Sequence, residues 1–228
     1  MKCNDLSTEG TRDVLSDAKM LFSSGPFLSR MIQQLRPYIC PFHELLAVVP
    51  RNSSVLDVGC GSGIFLGLLM KRVGLRSAFG FDYSESAIEL ARLMLKNMPA
   101  EMTKNIDFEL RNANQSWPEG DFDVVSMIDV MHHVNPTAQR EVFLEAVDHV
   151  NPGGLLLYKD MADRPLVFAL ANRLHDLIMA RQWINYVPTS LIKRWAIEAG
   201  LHVVQESQCR MIWYAHEWIV FKKRPTTI

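Results

Sequence analysis

Residues 55–63 read Val-Leu-Asp-Val-Gly-Cys-Gly-Ser-Gly, an apolar run that ends in three glycines at alternate positions. Glycine has no Cβ and adopts positive φ without steric cost, so this loop can turn sharply and expose bare backbone to a ligand. The apolar stretch from about residue 62 to 73 predicts a helix whose first N–H groups face the loop. The pattern predicts a strand, a glycine loop and a helix that bind a nucleotide-type cofactor.

A carboxylate closes the next apolar run. Asp82 lies nineteen residues after Gly63 and follows Ala78-Phe79-Gly80-Phe81. In doubly wound folds, a carboxylate at the end of the second strand binds ribose hydroxyls. A dinucleotide fingerprint would need a glycine at position 64, and the chain has Ile64 there. The spacing therefore favours a cofactor with a single ribose over a dinucleotide.

Further motifs follow in an order that resembles the class I S-adenosylmethionine (SAM) methyltransferases. The resemblance covers about residues 50–162 and begins with Asp57 and the tight Gly-x-Gly-x-Gly that follows it. The other matching segments are Phe81-Asp82-Tyr83-Ser84, Arg111-Asn112-Ala113, Phe122-Asp123-Val124-Val125 through His132-His133, and Asn151-Pro152-Gly153-Gly154. One departure is Asn112, which stands where the family often has an aspartate. Its amide oxygen can still accept a hydrogen bond from adenine, but without a charge.

The resemblance implies that the chain binds SAM and releases S-adenosylhomocysteine. It implies that the glycines hold the methionine portion, that Asp82 holds the ribose, and that Tyr83 and Ala113 flank the adenine beside Asn112. The cofactor-binding residues expected in this way are Asp57, Gly59, Cys60, Gly61, Gly63, Asp82, Tyr83, Asn112, Ala113, Ile128 and Asp129. The histidines include no pair at i, i+4 that would suit a metal ion, so we expect no metal ligand.

Apolar runs alternate with amphipathic segments along the chain, which predicts an α/β fold. Strands are expected at 53–58, 76–82, 105–111, 122–129, 154–160, 201–207 and 211–222, and helices at 62–73, 84–97, 137–149, 165–182 and 189–199. Apolar strands without polar alternation suit a parallel sheet that is buried on both faces. With the family resemblance, this predicts a doubly wound, Rossmann-like, mostly parallel seven-stranded sheet with an antiparallel C-terminal hairpin.

We expect a single methyltransferase domain over residues 1–228. Its parts are a helical N-terminal cap (1–50), a SAM-binding core (51–162), a helical insertion after the fifth strand (163–188), and a C-terminal helix with strands (189–228). In such methyltransferases the N-terminal segment commonly folds over the cofactor or the acceptor. Both a mobile cover and a helix fixed against the sheet fit the sequence.

His132 and His133 follow the fourth strand, at the sheet edge where open α/β folds bind ligands. Imidazole titrates near neutral pH, so either histidine is a candidate catalytic general base. The alternative is that the pair only packs in the loop around the cofactor. A carbon acceptor that is already activated would need no base at all.

Composition limits the partners and the compartment. The net charge is −1 and the pI is about 6.7, which argues against a nucleic-acid binder. No apolar run reaches the 18 residues of a membrane span, and the four cysteines match neither a zinc site nor a disulfide framework. We therefore expect a cytoplasmic protein, either a monomer or a homodimer.

The predicted acceptor is a small, apolar or aromatic organic molecule. The residues that suggest apolar walls are Phe22, Phe27, Met31, Phe168, Leu174, Ile178, Trp183, Tyr186, Trp213 and Tyr214, with His175 and His216 among them. Cations after residue 150 could guide an acceptor carried on an acidic acyl carrier protein: Arg164, Arg173, Arg181, Lys193 and Arg194.

The distal part more faintly resembles methyltransferases of aryl polyene and polyketide pathways, which implies secondary metabolism. The segments that carry this resemblance are Asn172-Arg173-Leu174-His175-Asp176-Leu177 and Trp213-Tyr214-Ala215-His216-Glu217. Two other functions stay open at this point. One is a nicotinamide-dependent oxidoreductase on a similar sheet, and the other is a catalytically silent methyltransferase-like binding protein.

Overall fold

The computed structural model describes residues 9–161, 185–211 and 214–225. Seven strands lie in these ranges: β1 (Ser54–Val58), β2 (Ser77–Asp82), β3 (Ile106–Leu110), β4 (Phe122–Ile128), β5 (Val150–Met161), β6 (Leu201–Met211) and β7 (Tyr214–Lys223). They form one sheet in the order β3-β2-β1-β4-β5-β7-β6. The pairs β1–β2, β2–β3 and β4–β5 are parallel, and β7 is antiparallel to both β5 and β6. The predicted fold class is confirmed.

Eight α-helices lie in the same ranges. They are α1 (Glu9–Leu21), α2 (Phe27–Leu35), α3 (Phe42–Ala47), α4 (Ile64–Arg72), α5 (Glu85–Leu95), α6 (Ala100–Thr103), α7 (Gln139–Asp148) and α8 (Thr189–Glu198). Short 3₁₀ turns occupy Arg36–Tyr38 and Met131–His133. The helices predicted around α4, α5, α7 and α8 are present, and each observed end lies within two residues of its predicted position. The predicted helix over 165–182 lies outside the described residues.

The chain divides into two compact units, one over residues 3–115 and one built on residues 116–228. In the first unit β1 is buried along its whole length. Helix α1 buries Val14, Ala18 and Leu21 almost completely. Asp17 of α1 also pairs with α4, 2.9 Å from Lys71 Nζ and 2.5 Å from Arg72 Nε. The N-terminal segment could be a mobile cover or a fixed helix, and the burial and ion pairs of α1 agree with a fixed helix.

The second unit packs α7 and α8 around Phe143. The Phe143 ring lies 6.3 Å from Tyr158, 6.0 Å from Trp195 and 6.4 Å from Phe221. Aromatic pairs at such distances stabilise a core beyond the apolar area that they bury. This cluster fixes β5, whose far end carries polar side chains of the candidate site.

Strand β5 starts at Val150, four residues before the predicted start at 154. The register explains the difference, because Phe122 pairs with Val150 and the next pair on β4 is Val124 with Leu155. Gly153, at φ 80°, lets the extra residues bulge out between these two pairs. The segment 151–154, which its sequence predicts to be a turn before the strand, is an irregular first part of β5.

Among the described cysteines, Cys40 and Cys60 are buried free thiols, whereas Cys209 is disulfide-bonded. We expected no disulfide among the cysteines, and for Cys209 this expectation is wrong. Within the described ranges, no helix combines the length and the apolar character that crossing a bilayer requires.

Candidate active site

The glycine loop between β1 and α4 has the conformation that its sequence requires. Gly59, Gly61 and Gly63 have φ values of 65°, 54° and 74°, in the left-handed region that favours glycine. The loop is pinned by hydrogen bonds from Cys60 N to Phe81 O and from Gly63 N to Cys60 O, both 3.0 Å long. Its shape is therefore set before any ligand arrives.

Gly61 and Gly63 are glycines for different steric reasons. A Cβ on Gly63 would lie 2.5 Å from Phe108 Cζ and 3.2 Å from Ala91 Cβ, inside the protein. A Cβ on Gly61 would meet nothing within 4 Å. Gly63 lets α4 pack closely against β3 and α5, whereas Gly61 leaves open space above the loop. That space is where a ligand can lie against backbone.

Helix α4 begins directly after the loop, with Gly63 as its N-terminal cap in the left-handed conformation. The first bond of the helix runs from Gly67 N to Gly63 O at 2.9 Å. The N–H groups of residues 64–66 therefore have no acceptor within the helix. Together with the helix dipole, they favour a carboxylate at this position.

Asp82 holds the loop as well as ending β2. Its Oδ2 accepts a hydrogen bond from Gly61 N at 2.9 Å, and its Oδ1 accepts one from Ser84 N at 2.9 Å. Each carboxylate oxygen keeps a second lone pair, so both can still accept from ribose hydroxyls. The sequence indicated the ribose role but gave no sign that Asp82 also ties the loop to β2.

Cys60 lies inside the loop and points away from water. Burial raises the pKa of its thiol well above the usual value, and the nearby Asp57 and Asp82 carboxylates raise it further. Cys60 therefore stays a protonated thiol at neutral pH and packs as a small apolar side chain. Asp57 is buried at the end of β1, as expected for a residue beside the loop.

The residues expected around adenine follow two strands: Tyr83 comes directly after β2, and Asn112 and Ala113 lie in the loop after β3. Arg111 N donates to Asp82 O at 2.9 Å, which brings the loop after β3 next to Asp82. Asn112 is exposed, and its Oδ1 already accepts from Asn114 N at 3.1 Å. One lone pair of that oxygen thus holds the turn and one is left for a ligand. Tyr83 is 58% exposed, with its ring available as a flat apolar surface.

In the second unit, Asp129 follows β4 in a strained backbone conformation, with φ of 58°. Both of its carboxylate oxygens bind Lys159 Nζ, at 2.6 and 2.7 Å, and Asp129 N donates to Lys159 O at 2.9 Å. Lys159 is almost completely buried. The ion pair neutralises a lysine that water cannot reach and holds Asp129 at the carboxyl end of the strand.

His132 is the buried member of the histidine pair. Its Nδ1 lies 2.5 Å from Asp160 Oδ1, an oxygen that also accepts from Met161 N at 2.8 Å. Tyr158 OH donates to the other oxygen, Oδ2, at 3.4 Å. Burial and the Asp160 charge raise the pKa of Tyr158 well above its usual value, so Tyr158 remains a donor. Asp160 accepts on both sides and fixes the His132 ring.

His133 is exposed and lies against His132, with the ring centroids 4.1 Å apart. The Tyr186 ring lies 5.9 Å from the His132 ring, measured between centroids, and Asn185 N donates to His132 O at 3.1 Å. Gln139 Nε2 donates to Met131 O and to Asn185 O, both at 3.1 Å, which ties residues 185–186 to the histidine turn. The structure thus groups a solvent-facing imidazole, a buried imidazole and a tyrosine.

The residues expected to line an acceptor pocket separate into several groups. Phe22 is buried with the core of α1, so it cannot line a pocket. His216 is buried on β7, opposite Met161 and Cys209. Phe27 and Met31 are exposed on α2, and Tyr186 lies beside His132. The remaining members lie outside the described residues or have side chains that are not described: Phe168, Leu174, His175, Ile178, Trp183, Trp213 and Tyr214.

Lys159 and Asp160 are site residues that the motif reading missed. They end the apolar run Leu155-Leu156-Leu157-Tyr158, and charged residues at the carboxyl end of a buried strand are a recognisable signal. The sequence could not show that each pairs with a residue after β4. Within the described residues, no cluster of three or more His, Cys, Asp or Glu side chains could hold a metal ion.

Comparison with known proteins identifies the family. The family model of a methyltransferase domain matches residues 30–206. The ubiquinone biosynthesis O-methyltransferase of Thiobacillus denitrificans is 32% identical over 158 residues, covering 66% of this chain and 65% of that protein. The ribosomal protein L11 methyltransferase of Paraburkholderia phymatum is 30% identical over 153 residues, covering 67% and 44%. The chain therefore spans less than two thirds of the length of these curated relatives.

Solved structures show the same fold. An O-methyltransferase family protein from Burkholderia thailandensis superposes with a TM-score of 0.69 at 21% identity, over 88% of this chain and 59% of that chain. The magnesium protoporphyrin IX methyltransferase of Synechocystis, solved with bound S-adenosylhomocysteine, superposes with a TM-score of 0.66 at 16% identity, over 96% and 97%.

These matches bear on one of the alternatives that the sequence left open, the nicotinamide-dependent oxidoreductase. The family model covers most of the chain, and its strand, glycine loop and helix are in place. The oxidoreductase reading is thereby set aside. The chain belongs to the methyltransferase-domain family and has the fold of the class I SAM-dependent methyltransferases.

Proposed function

We propose that this enzyme methylates an oxygen of a small, apolar aromatic molecule, with His133 as the general base. The observation that carries the proposal is the array Asp160–His132–His133, which ends in an exposed imidazole. The name of the relative from Thiobacillus denitrificans, an O-methyltransferase, supports oxygen as the acceptor atom.

The residues of the first unit fit the cofactor. The open space above Gly61 accommodates a ligand against the backbone, and the Asp82 oxygens each have a lone pair for a ribose hydroxyl. SAM supplies a methyl group on a sulfonium cation, which is already a strong electrophile. The protein therefore has to bind, align, exclude water and move a proton, and it needs no covalent intermediate.

Proton removal is the step that the histidines would serve. A phenolic hydroxyl has a pKa of about 10, so at neutral pH it keeps its proton unless a base takes it. His133 faces solvent, and a neutral imidazole nitrogen can accept that proton. His132 is held by Asp160 and supports the His133 ring from the buried side. In this proposal Asp160 and His132 position the base, and His133 acts on the acceptor.

An aromatic acceptor agrees with the surroundings of the histidines. Tyr186 is half-buried beside His132, and its hydroxyl lies 3.9 Å from Met161 Sδ. An aromatic ring and a thioether form a wall that suits an apolar ring.

A free acceptor is favoured over one presented on an acidic carrier protein. Lys193 pairs with Glu206 at 2.9 Å, and Arg194 lies 3.9 Å from Glu198. These cations are balanced locally and offer little attraction to a distant acidic surface. The other cations named for this role, Arg164, Arg173 and Arg181, lie outside the described residues. We propose that the reaction takes place in the cytoplasm.

The experiment compares His133→Gln with His202→Gln, since His202 is an exposed histidine on β6 that the proposal does not use. S-adenosylhomocysteine formation is measured with a panel of phenols, aliphatic carboxylic acids and amines. We expect turnover of the preferred phenol to fall about 10²–10⁴-fold in His133→Gln, with SAM affinity unchanged. His202→Gln should match the wild type.

Two results would contradict the proposal. One is full activity of His133→Gln, and the other is a preference for amines or aliphatic acids over phenols. Asp160→Asn tests the positioning role, because it should lower kcat strongly while leaving the SAM dissociation constant and the acceptor KM nearly unchanged. An equal loss of cofactor binding would show that Asp160 only maintains the fold.

A further inference from the structure

Helix α2 carries an apolar face that is exposed to solvent. Its large apolar side chains are between 38% and 69% exposed, and no residue of this helix is buried: Phe27, Leu28, Met31, Ile32 and Leu35. At about 100° per residue these five side chains occupy one arc of about 140° around the helix axis. A contiguous exposed arc of this kind on a short helix marks an interaction surface.

The charged side chains on α2 and on the chain segment around it are all basic. Arg30 lies about 60° before Phe27 on the helical wheel and Arg36 about 40° after Ile32, so a cation flanks each edge. The Arg30 guanidinium sits 5.8 Å from the Phe27 ring centroid. Residues 18–43 contain no aspartate or glutamate, although the whole chain has 25 among 228 residues. The chain segment that carries α2 thus suits an anionic surface.

We propose that α2 is a membrane-surface anchor that inserts its apolar arc among the headgroups of an anionic lipid bilayer. An apolar face with basic residues along its edges is the arrangement by which interfacial helices bind anionic lipids. The proposal goes beyond the methyl transfer and does not depend on the identity of the acceptor.

A second copy of the chain is a poorer occupant of the same face. Stable protein interfaces bury about 800 Å² per partner and use about 20–30 residues a side. Helix α2 is nine residues long and offers five apolar side chains, and its chain segment has no acidic residue to pair with the arginines of a second copy. A bilayer needs only a few inserted side chains, and its negative charge attracts Arg30 and Arg36.

The test uses the full chain and two vesicle compositions, pure phosphatidylcholine and an equal mixture of phosphatidylcholine with phosphatidylglycerol. Leu28→Glu places a charge in the arc. Ile197→Glu is the matched control, because Leu28 and Ile197 are both 62% exposed and Ile197 lies on α8. Co-sedimentation with vesicles measures binding, and far-ultraviolet circular dichroism shows whether each variant is folded.

We expect the wild type and Ile197→Glu to bind the phosphatidylglycerol vesicles at least about tenfold more tightly than Leu28→Glu does, and to bind pure phosphatidylcholine weakly. Raising the salt concentration should weaken the binding. Arg30→Gln, which leaves the arc apolar, should reduce the preference for the anionic vesicles about fivefold.

Three results would overturn the proposal. They are no vesicle binding by the wild type, equal binding by Leu28→Glu, and equal loss in Ile197→Glu. Analytical ultracentrifugation tests whether a second copy of the chain covers the face instead. If the wild type is a dimer, Leu28→Glu is a monomer and neither binds vesicles, the face is a dimer interface.

Discussion

Gly61 and Gly63 allow a test that separates cofactor binding from stability within one loop. Both have positive φ, yet only Gly63 has side chains where a Cβ would be placed. Gly63→Ala and Gly61→Ala are therefore the same chemical change in two different surroundings. Gly200→Ala is a matched control, since Gly200 has φ of 86° and nothing within 4 Å of an added Cβ.

The expected magnitudes follow from the geometry. Placing alanine in the left-handed region costs about 1–2 kcal/mol at any of the three positions. At Gly63 the added methyl also meets Phe108 at 2.5 Å, and such overpacking costs a further ~1–3 kcal/mol. We therefore expect Gly63→Ala to lower the free energy of unfolding by about 2–5 kcal/mol, and the other two variants by about 1–2 kcal/mol.

The loss of SAM affinity should be seen in Gly61→Ala, the variant that keeps more of its stability than Gly63→Ala. Gly61→Ala puts a methyl group into the space where the ligand would lie, so its affinity for SAM should fall about tenfold or more, whereas Gly200→Ala should bind normally. Urea unfolding without ligand and calorimetric titration with SAM give the two quantities. If Gly61→Ala binds SAM like the wild type, or loses as much stability as Gly63→Ala, the assignment of the open space to the cofactor is wrong.

Three further expectations concern carboxylates and one buried phenol. Asp82→Asn can keep only one of its two backbone bonds, so SAM affinity should fall about 10–100-fold by calorimetry. Asp17→Asn should lower the free energy of unfolding by about 1–3 kcal/mol, whereas the exposed ion-pair variant Glu198→Gln should change it by less than about 1 kcal/mol. The raised pKa of Tyr158 means that above pH about 10 the unfolded chain releases a proton that the folded chain keeps. Stability should therefore fall as pH rises above that value, and Tyr158→Phe should reduce the fall in urea unfolding measured on both sides of it.

The sequence was sufficient to predict the sheet and the glycine loop because both depend on local patterns. Strand β1 is rich in apolar residues and buried along its whole length, and the loop needs glycine at fixed positions. The order of motifs then predicted the family. The start of β5 was missed, since Gly153 creates a bulge inside a strand where its sequence indicates a turn.

Side-chain partners could not be predicted in the same way. His132 was identified from its position after β4, but its partner Asp160 lies 28 residues away on another strand. Pairing across parallel strands depends on register, which no short motif encodes. The same holds for Asp129 and Lys159. The role of Phe27 and Met31 on α2 is likewise not encoded locally, because periodicity shows which residues share a face and not what covers it.

The Phe108 ring packs against two glycines, Gly63 at the end of the cofactor loop and Gly80 on β2. A Cβ on Gly63 would lie 2.5 Å from this ring, and a Cβ on Gly80 would lie 2.9 Å from it. Positions 63, 80 and 108 therefore form one steric unit, although they belong to a loop, to β2 and to β3. In directed evolution they should be randomised together, because a larger residue at either glycine is acceptable only with a smaller one at 108. Libraries that vary one position at a time would miss such paired changes.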